Sequence, residues 1–266
     1  MVSIVCIGDF GHNTPAKKKL FSDLSRATGL DFIVGLGDNF YPVGIDRQEL
    51  WHTHFYDLVS DTTPWFMIMG NHDHLGQSQI RTQSPWFMPH YYYYILHKDV
   101  LFVFLDTFWL SFHESHLQTR AMRHDFSRFA EVFPINRDRQ IRWLIDILRR
   151  HPTNPVIVFG HYPVFSDGSH GNNRELYDVL MPIFRSHRVR MYVSGHDHSL
   201  QHLYRDGIHF LVSGAGSETR PRVHYGQGLY YSDKCGYLRL DLDSRSVRVS
   251  FCDEDHRVIH HSYLNT

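Results

Sequence analysis

Hydrophobic positions in this chain fall into short unbroken runs, at residues 3–7, 32–36, 65–69, 101–105, 156–159, 191–193 and 209–212. Apolar runs of that length, rich in β-branched residues and without alternation, predict strands buried on both faces. Helical spacing appears between several of them. Residues 15–28 open on Thr14-Pro15 as cap and first turn and stop before Gly29, residues 138–150 set Ile141, Leu144, Ile145 and Leu148 on one stripe, and 173–186 form a third candidate. The C-terminal part differs: Tyr237 to Leu242 alternates, Asp243-Ser-Arg turns, and Val247 to Phe251 alternates again, which predicts an antiparallel hairpin with one wet face. Tyr91-Tyr-Tyr-Tyr94 reads as an edge strand. Residues 108–137 carry no period and are too long for an ordinary connection, so they read as a lid or regulatory loop. The order of strands and helices predicts an α/β fold, and 266 residues suit one domain spanning 1–266.

Composition narrows the partners. A net charge of -1 supplies no field for nucleic acid or an anionic membrane, and no apolar run approaches the roughly 20 residues that span a bilayer. The chain reads as soluble and monomeric. Its 22 histidines leave it near neutral at pH 7 but strongly cationic in acid, a change that a phosphate-bearing substrate would feel. The N-terminal residues lack a basic leader and apolar segment, so the compartment is expected to be cytoplasmic, or secreted or lysosomal if a leader has been trimmed. Three cysteines cannot all pair, and no glycosylation acceptor occurs; both lean towards a reducing compartment.

The chemistry lies at the strand ends: Gly8-Asp9, Gly37-Asp38-Asn39-Phe40-Tyr41, Gly70-Asn71-His72-Asp73-His74, Gly160-His161-Tyr162-Pro163 and Gly195-His196-Asp197-His198. In α/β sheets ligands bind at the carboxyl ends of the strands, and a glycine there lets the backbone aim the next side chain inwards. One Gly-Asp or Gly-His is noise; five in order are a constellation. Asp, Asn and His donors without thiolate suit first-row divalent or trivalent metals, and two such ions can clamp a phosphoryl group.

This ordered set resembles the metallophosphoesterase superfamily, and within it the purple acid phosphatases of the small, tartrate-resistant type. Similar stretches include Gly70 to Gly76, Gly160 to Val164, Gly195 to His198, Ser213-Gly-Ala-Gly216 and Gln140-Ile-Arg-Trp-Leu144. The resemblance implies a calcineurin-like fold, a four-layer sandwich of two mixed β-sheets flanked by helices, with the metals at the sheet edge. It also implies an Fe(III) site made by Asp9, Asp38, Tyr41 and His198, and a divalent site (Fe, Zn or Mn) made by Asp38, Asn71, His161 and His196. Many superfamily members begin Asp-x-His, and here the third position is Gly11. Tyr41 then reads as the replacement donor, a phenolate favouring Fe(III).

The activity implied is hydrolysis of a phosphate monoester (a phosphoprotein, nucleotide or small metabolite) by a metal-bound hydroxide, with His72 and His170 assisting the leaving group. Ser169 stands where relatives carry a glutamate, and Ser194 where they carry a cysteine. His12, His74 and His113 are within reach of the cleft but receive no role. The alternatives are a divalent-metal phosphodiesterase or protein phosphatase, and a non-catalytic anchoring protein on the same fold. A repressive segment at 108–137, with Arg120, Arg123 and Arg128 as cleavage points, is also expected.

Overall fold

A computed structural model describes residues 1–111, 133–224, 226, 228–243 and 246–265. The expected regulatory segment 108–137, with His113 and its three arginines, falls largely outside the described residues. The strands are β1 (Val2–Ile7), β2 (Phe32–Gly35), β3 (Trp65–Met67), β4 (Arg81–Gln83), β5 (Trp86–Met88), β6 (Tyr93–His97) and β7 (Val100–Phe104). Beyond them lie β8 (Val156–Phe159), β9 (Met191–Ser194), β10 (Leu200–Arg205), β11 (Ile208–Ser213), β12 (Gly228–Ser232), β13 (Gly236–Leu242), β14 (Ser246–Asp253) and β15 (Val258–Asn265).

They form two mixed sheets, ordered β15-β14-β13-β1-β2-β3-β5-β4 and β12-β10-β11-β9-β8-β7-β6. Each has a parallel centre and antiparallel flanks: β1-β2-β3-β5 in one and β7-β8-β9-β11 in the other. All five Gly-polar stretches follow strands of these parallel centres, which delivers them to one edge.

The unbroken apolar runs are explained by what lies on each face. On β7, Leu101 and Val103 join Val158 and Tyr192 in a cluster under the helices, whereas Phe102 and Phe104 join Phe159 and Val193 in the larger core that includes the first sheet. Helices α2 (Phe133–Arg150) and α3 (Arg174–Ser186) cover that second sheet through Leu144, Ile147, Leu148, Leu176, Leu180 and Phe184. In α2, Ile141 and Ile145 are only partly buried, so the buried stripe turns towards Ile147.

Several boundaries differ from expectation. Helix α1 (Pro15–Leu24) is capped by Thr14, whose side chain accepts from the Lys17 N–H, but it stops four residues before Thr28. At its end the Ser25 hydroxyl donates to the Leu58 carbonyl and accepts from the Ser60 N–H, tying the helix terminus to the loop before β3. Tyr93 and Tyr94 lie on β6, an edge strand, while Tyr91 and Tyr92 precede it. The C-terminal hairpin is joined by β15 and pairs back onto β1. The three cysteines are unpaired. No helix among the described residues is long and apolar enough to cross a membrane.

Candidate metal centre

Asp9 follows β1, Asp38 and Tyr41 follow β2, Asn71 follows β3, His161 follows β8, and His196 and His198 follow β9. Three of these residues hold left-handed backbone, with φ of 57° at Asp9, 52° at Asp38 and 68° at His196. A non-glycine residue there costs on the order of 1 kcal/mol or more and persists only where its surroundings hold it. Here the surroundings are buried hydrogen bonds. The His196 N–H donates to Asp9 Oδ2 at 2.7 Å and the His72 N–H to Asp38 Oδ1 at 3.0 Å. Gly70 makes room for this: a Cβ there would stand 2.1 Å from Asp38 Oδ1.

The Tyr41 hydroxyl is the meeting point of one group. It lies 3.1 Å from Asp9 Oδ1, 3.0 Å from Asp38 Oδ2 and 3.1 Å from His198 Nε2. One phenolic proton cannot satisfy three such neighbours. Burial, and then the Asp38 and Asp9 carboxylates, hold the phenol well above its usual range, so only a cation at this point would let it ionise. Gly11 and Tyr41 are structurally linked, because a Cβ on Gly11 would sit 2.6 Å from the Tyr41 ring and from its backbone nitrogen. The space a side chain at position 11 would need is filled by the tyrosine.

A second group shares Asp38. His161 Nδ1 donates to the Leu36 carbonyl at 2.8 Å, which turns Nε2 towards Asn71 Oδ1 at 3.1 Å and Asp38 Oδ1 at 3.5 Å. Donor atoms of Asp38, His161 and His196 all lie within 4.8 Å of one another. Burial works against a charge on His161, but Asp38, Asp9 and the Leu36 carbonyl outweigh it and raise its pKa to about 9. That proton stands where a metal would stand. The donor set fits two cations: Asp9 and Asp38 are both buried, their ion-pair partners among the described residues are histidines alone, and the Tyr41 hydroxyl, His198 Nε2 and His161 Nε2 are turned towards their carboxylates.

Two supporting networks set these loops. Asp73 accepts from the N–H groups of Gly70, Asn39 and Phe40 and from Gln79, fastening the turns after β2 and β3 together. Burial, then the nearby Asp38 charge, pushes its carboxyl up to about 6. The Gln140 side chain exchanges two hydrogen bonds with the backbone of Asp106, at 2.8 and 2.9 Å, while Thr107 Oγ1 accepts from the His161 and Tyr162 N–H groups. The Gln140 motif therefore ties α2 to the end of β7.

A cleft of about 240 Å³ opens above the donors, and both His72 and His170 line it. His72 Nδ1 donates to the Pro42 carbonyl at 2.6 Å, leaving Nε2 3.8 Å from Asp38 Oδ2. His170 stacks on His196 at 4.0 Å, and its Nδ1 donates to Asp197 Oδ1 at 2.8 Å. Asp197 also accepts from Ser166, Ser169 and the His170 N–H. Burial opposes its charge, yet these bonds and His170 hold its carboxyl below the usual range. His12 reaches the cleft, stacked on the Tyr41 ring at 4.4 Å. His74 does not: it is buried 3.0 Å from Asp106. Sequence reasoning passed over Asp197, which stands between two histidines of the motif, and Arg220, which lines the cleft four residues after Gly216. The second carried a signal, a charge just beyond a glycine-rich strand end.

The family described as calcineurin-like phosphoesterase matches residues 2–200. Tartrate-resistant acid phosphatase type 5 of Mus musculus is 32% identical over 279 residues, 93% of this chain and 81% of that protein. Purple acid phosphatase 7 of Arabidopsis thaliana is 29% identical, covering 99% of this chain and 86% of that protein. Among solved structures, GAP50, the anchor in the inner membrane complex of Plasmodium, aligns with a TM-score of 0.80 at 21% identity over 99% of this chain and 88% of its own. Purple acid phosphatase PPD1 from yellow lupin seeds aligns with a TM-score of 0.70 at 16% identity over 99% and 53%. At those identities the structural likenesses report the fold alone.

Proposed function

The chain belongs to the calcineurin-like phosphoesterase family, and from that premise we propose that it is a dinuclear-metal acid phosphatase of the purple type, acting on phosphate monoesters. One observation carries this reading: the Tyr41 hydroxyl within 3.1 Å of Asp9, Asp38 and His198, with no room for a side chain at position 11. Asp9, Asp38, Tyr41 and His198 would hold Fe(III), and Asp38, Asn71, His161 and His196 would hold a divalent ion. When bound, the pair supplies Lewis acidity that polarises the phosphoryl group and the attacking water.

The chain's remaining contribution is positional and protic. Asp197 fixes the ring of His170 by taking its Nδ1 proton in a hydrogen bond, so Nε2 is the atom that passes a proton to the departing alkoxide as the ester P–O bond breaks. His72, oriented through Pro42, is placed for the same task or for holding a phosphoryl oxygen. Asp38 reaches both donor groups and orders the His72 backbone. The seven proposed donors fall into two contact groups that share Asp38, which supports a catalytic over an anchoring role.

Loaded with iron and a divalent metal, the protein is expected to hydrolyse 4-nitrophenyl phosphate at least about tenfold faster than bis(4-nitrophenyl) phosphate, and Asp38→Ala to lose about a thousandfold or more. A preference for the diester, or full activity in the variant, contradicts the proposal.

A further inference from the structure

Among the described residues, the cleft has a single permanently charged cation on its wall. Of the ten described residues that line it, Arg220 alone is lysine or arginine. Its backbone is pinned on both sides: the N–H donates to the His198 carbonyl at 2.8 Å, and the carbonyl accepts from the Tyr231 hydroxyl at 2.9 Å. No carboxylate among the described residues lies within ion-pairing distance of its guanidinium. Glu218, also on the wall, is paired with His12 at 3.8 Å, and the neighbouring Arg222 is bound to the buried Asp167. Arg220 is half-buried. A partly desolvated guanidinium without a counter-ion is a fork of donors suited to a carboxylate or phosphate.

Charge on the reacting phosphoryl group has its own neutralising ions on the reading above, and Arg220 shares the rim with His12, one ring stacked above Tyr41. We propose that Arg220 is a specificity-determining residue that pairs with a second anionic group of the substrate, so the preferred substrates are phosphate monoesters that carry a further carboxylate or phosphate. The inference rests on the phosphatase reading for its reacting group.

The test compares 4-carboxyphenyl phosphate with phenyl phosphate on the metal-loaded enzyme. Arg220→Gln is expected to raise KM for the carboxylated ester about tenfold or more, with kcat within about twofold, and to leave phenyl phosphate nearly unchanged. Arg220→Lys is expected to restore part of the difference. An equal loss on both esters would place the guanidinium on the reacting phosphoryl group and overturn the inference, as would no change on either. Calorimetric binding of 4-carboxybenzylphosphonate against benzylphosphonate reads the same preference without turnover. If the wild-type protein cleaves neither ester, the phosphatase reading fails, and the binding difference between wild type and Arg220→Gln still decides for or against the arginine.

Discussion

Two histidine-rich regions of this molecule behave in opposite ways. At the strand ends, His161 and His198 stand beside Asp38 and Asp9; burial works against their charge, but the carboxylates outweigh it and both are pushed up, His161 to about 9. Across the second sheet, His202 and His209 lie 2.9 Å apart on β10 and β11 with His260 nearby, and no carboxylate among the described residues forms an ion pair with any of the three. There burial, followed by the neighbouring imidazoles, pushes His202 down to about 4, and burial lowers His209 and His260. Imidazole is common to both regions. The carboxylates favour positive charge in the first region, and their lack makes the other a neutral, packed cluster.

The largest effect that sharpens this contrast is at Asp197, the carboxylate that serves an imidazole without joining the donors. Asp197→Asn is expected to lower kcat at least about tenfold while metal content stays at the wild-type level, and to alter the limb of the pH profile set by the leaving-group proton. Lost metal instead would make Asp197 part of the scaffold for the donors.

A smaller effect probes the neutral cluster. Between about pH 6.5 and pH 4 the unfolded chain binds a proton at His202 that the folded chain refuses, so stability falls as pH drops through that window, by about 3 kcal/mol. His202→Gln is expected to flatten that part of a denaturation-versus-pH curve relative to wild type, and an unchanged slope would break the comparison.

Lys17 extends the same logic to a cation. It is fully buried near the Phe10 and Phe21 rings, its Nζ has no hydrogen-bond partner, and burial, then Lys18, lowers it to about 7. From about pH 7 to its unfolded value near 10.5 the unfolded chain holds the extra proton, so stability rises with pH there. Lys17→Met is expected to remove that rise and to stabilise the protein at pH 7 by roughly 1 to 2 kcal/mol, read by urea denaturation.

Much of the donor geometry was legible because each donor motif opens on a glycine at the end of an unbroken apolar run, and parallel neighbours must send such ends to one edge. Which polar residue of a motif turns inwards was less legible. In Asn71-His72-Asp73 and His196-Asp197-His198 the spacing is the same, yet Asp73 and Asp197 face backbone and a neighbouring ring, because left-handed turns and strand-end hydrogen bonds choose the direction. Lys17 is buried, and nothing in the Lys17-Lys18-Lys19 run signals it. Strand β10 escaped notice because its polar residues are inside: Gln201 is satisfied by Ser166, Asp167 and Ser199, and His202 Nε2 meets His209. Short strands β4 and β5 lacked enough residues for a period.

The central claim is that Tyr41 replaces a missing histidine as a donor to a trivalent ion, and colour tests it most directly. Iron-loaded wild-type protein is expected to bind two metal ions per chain and to show a purple to pink visible band from phenolate bound to Fe(III), with Tyr41→Phe losing the band. Wild-type protein that is colourless, iron-free and fully active, or a Tyr41→Phe variant that keeps the band, would contradict the account.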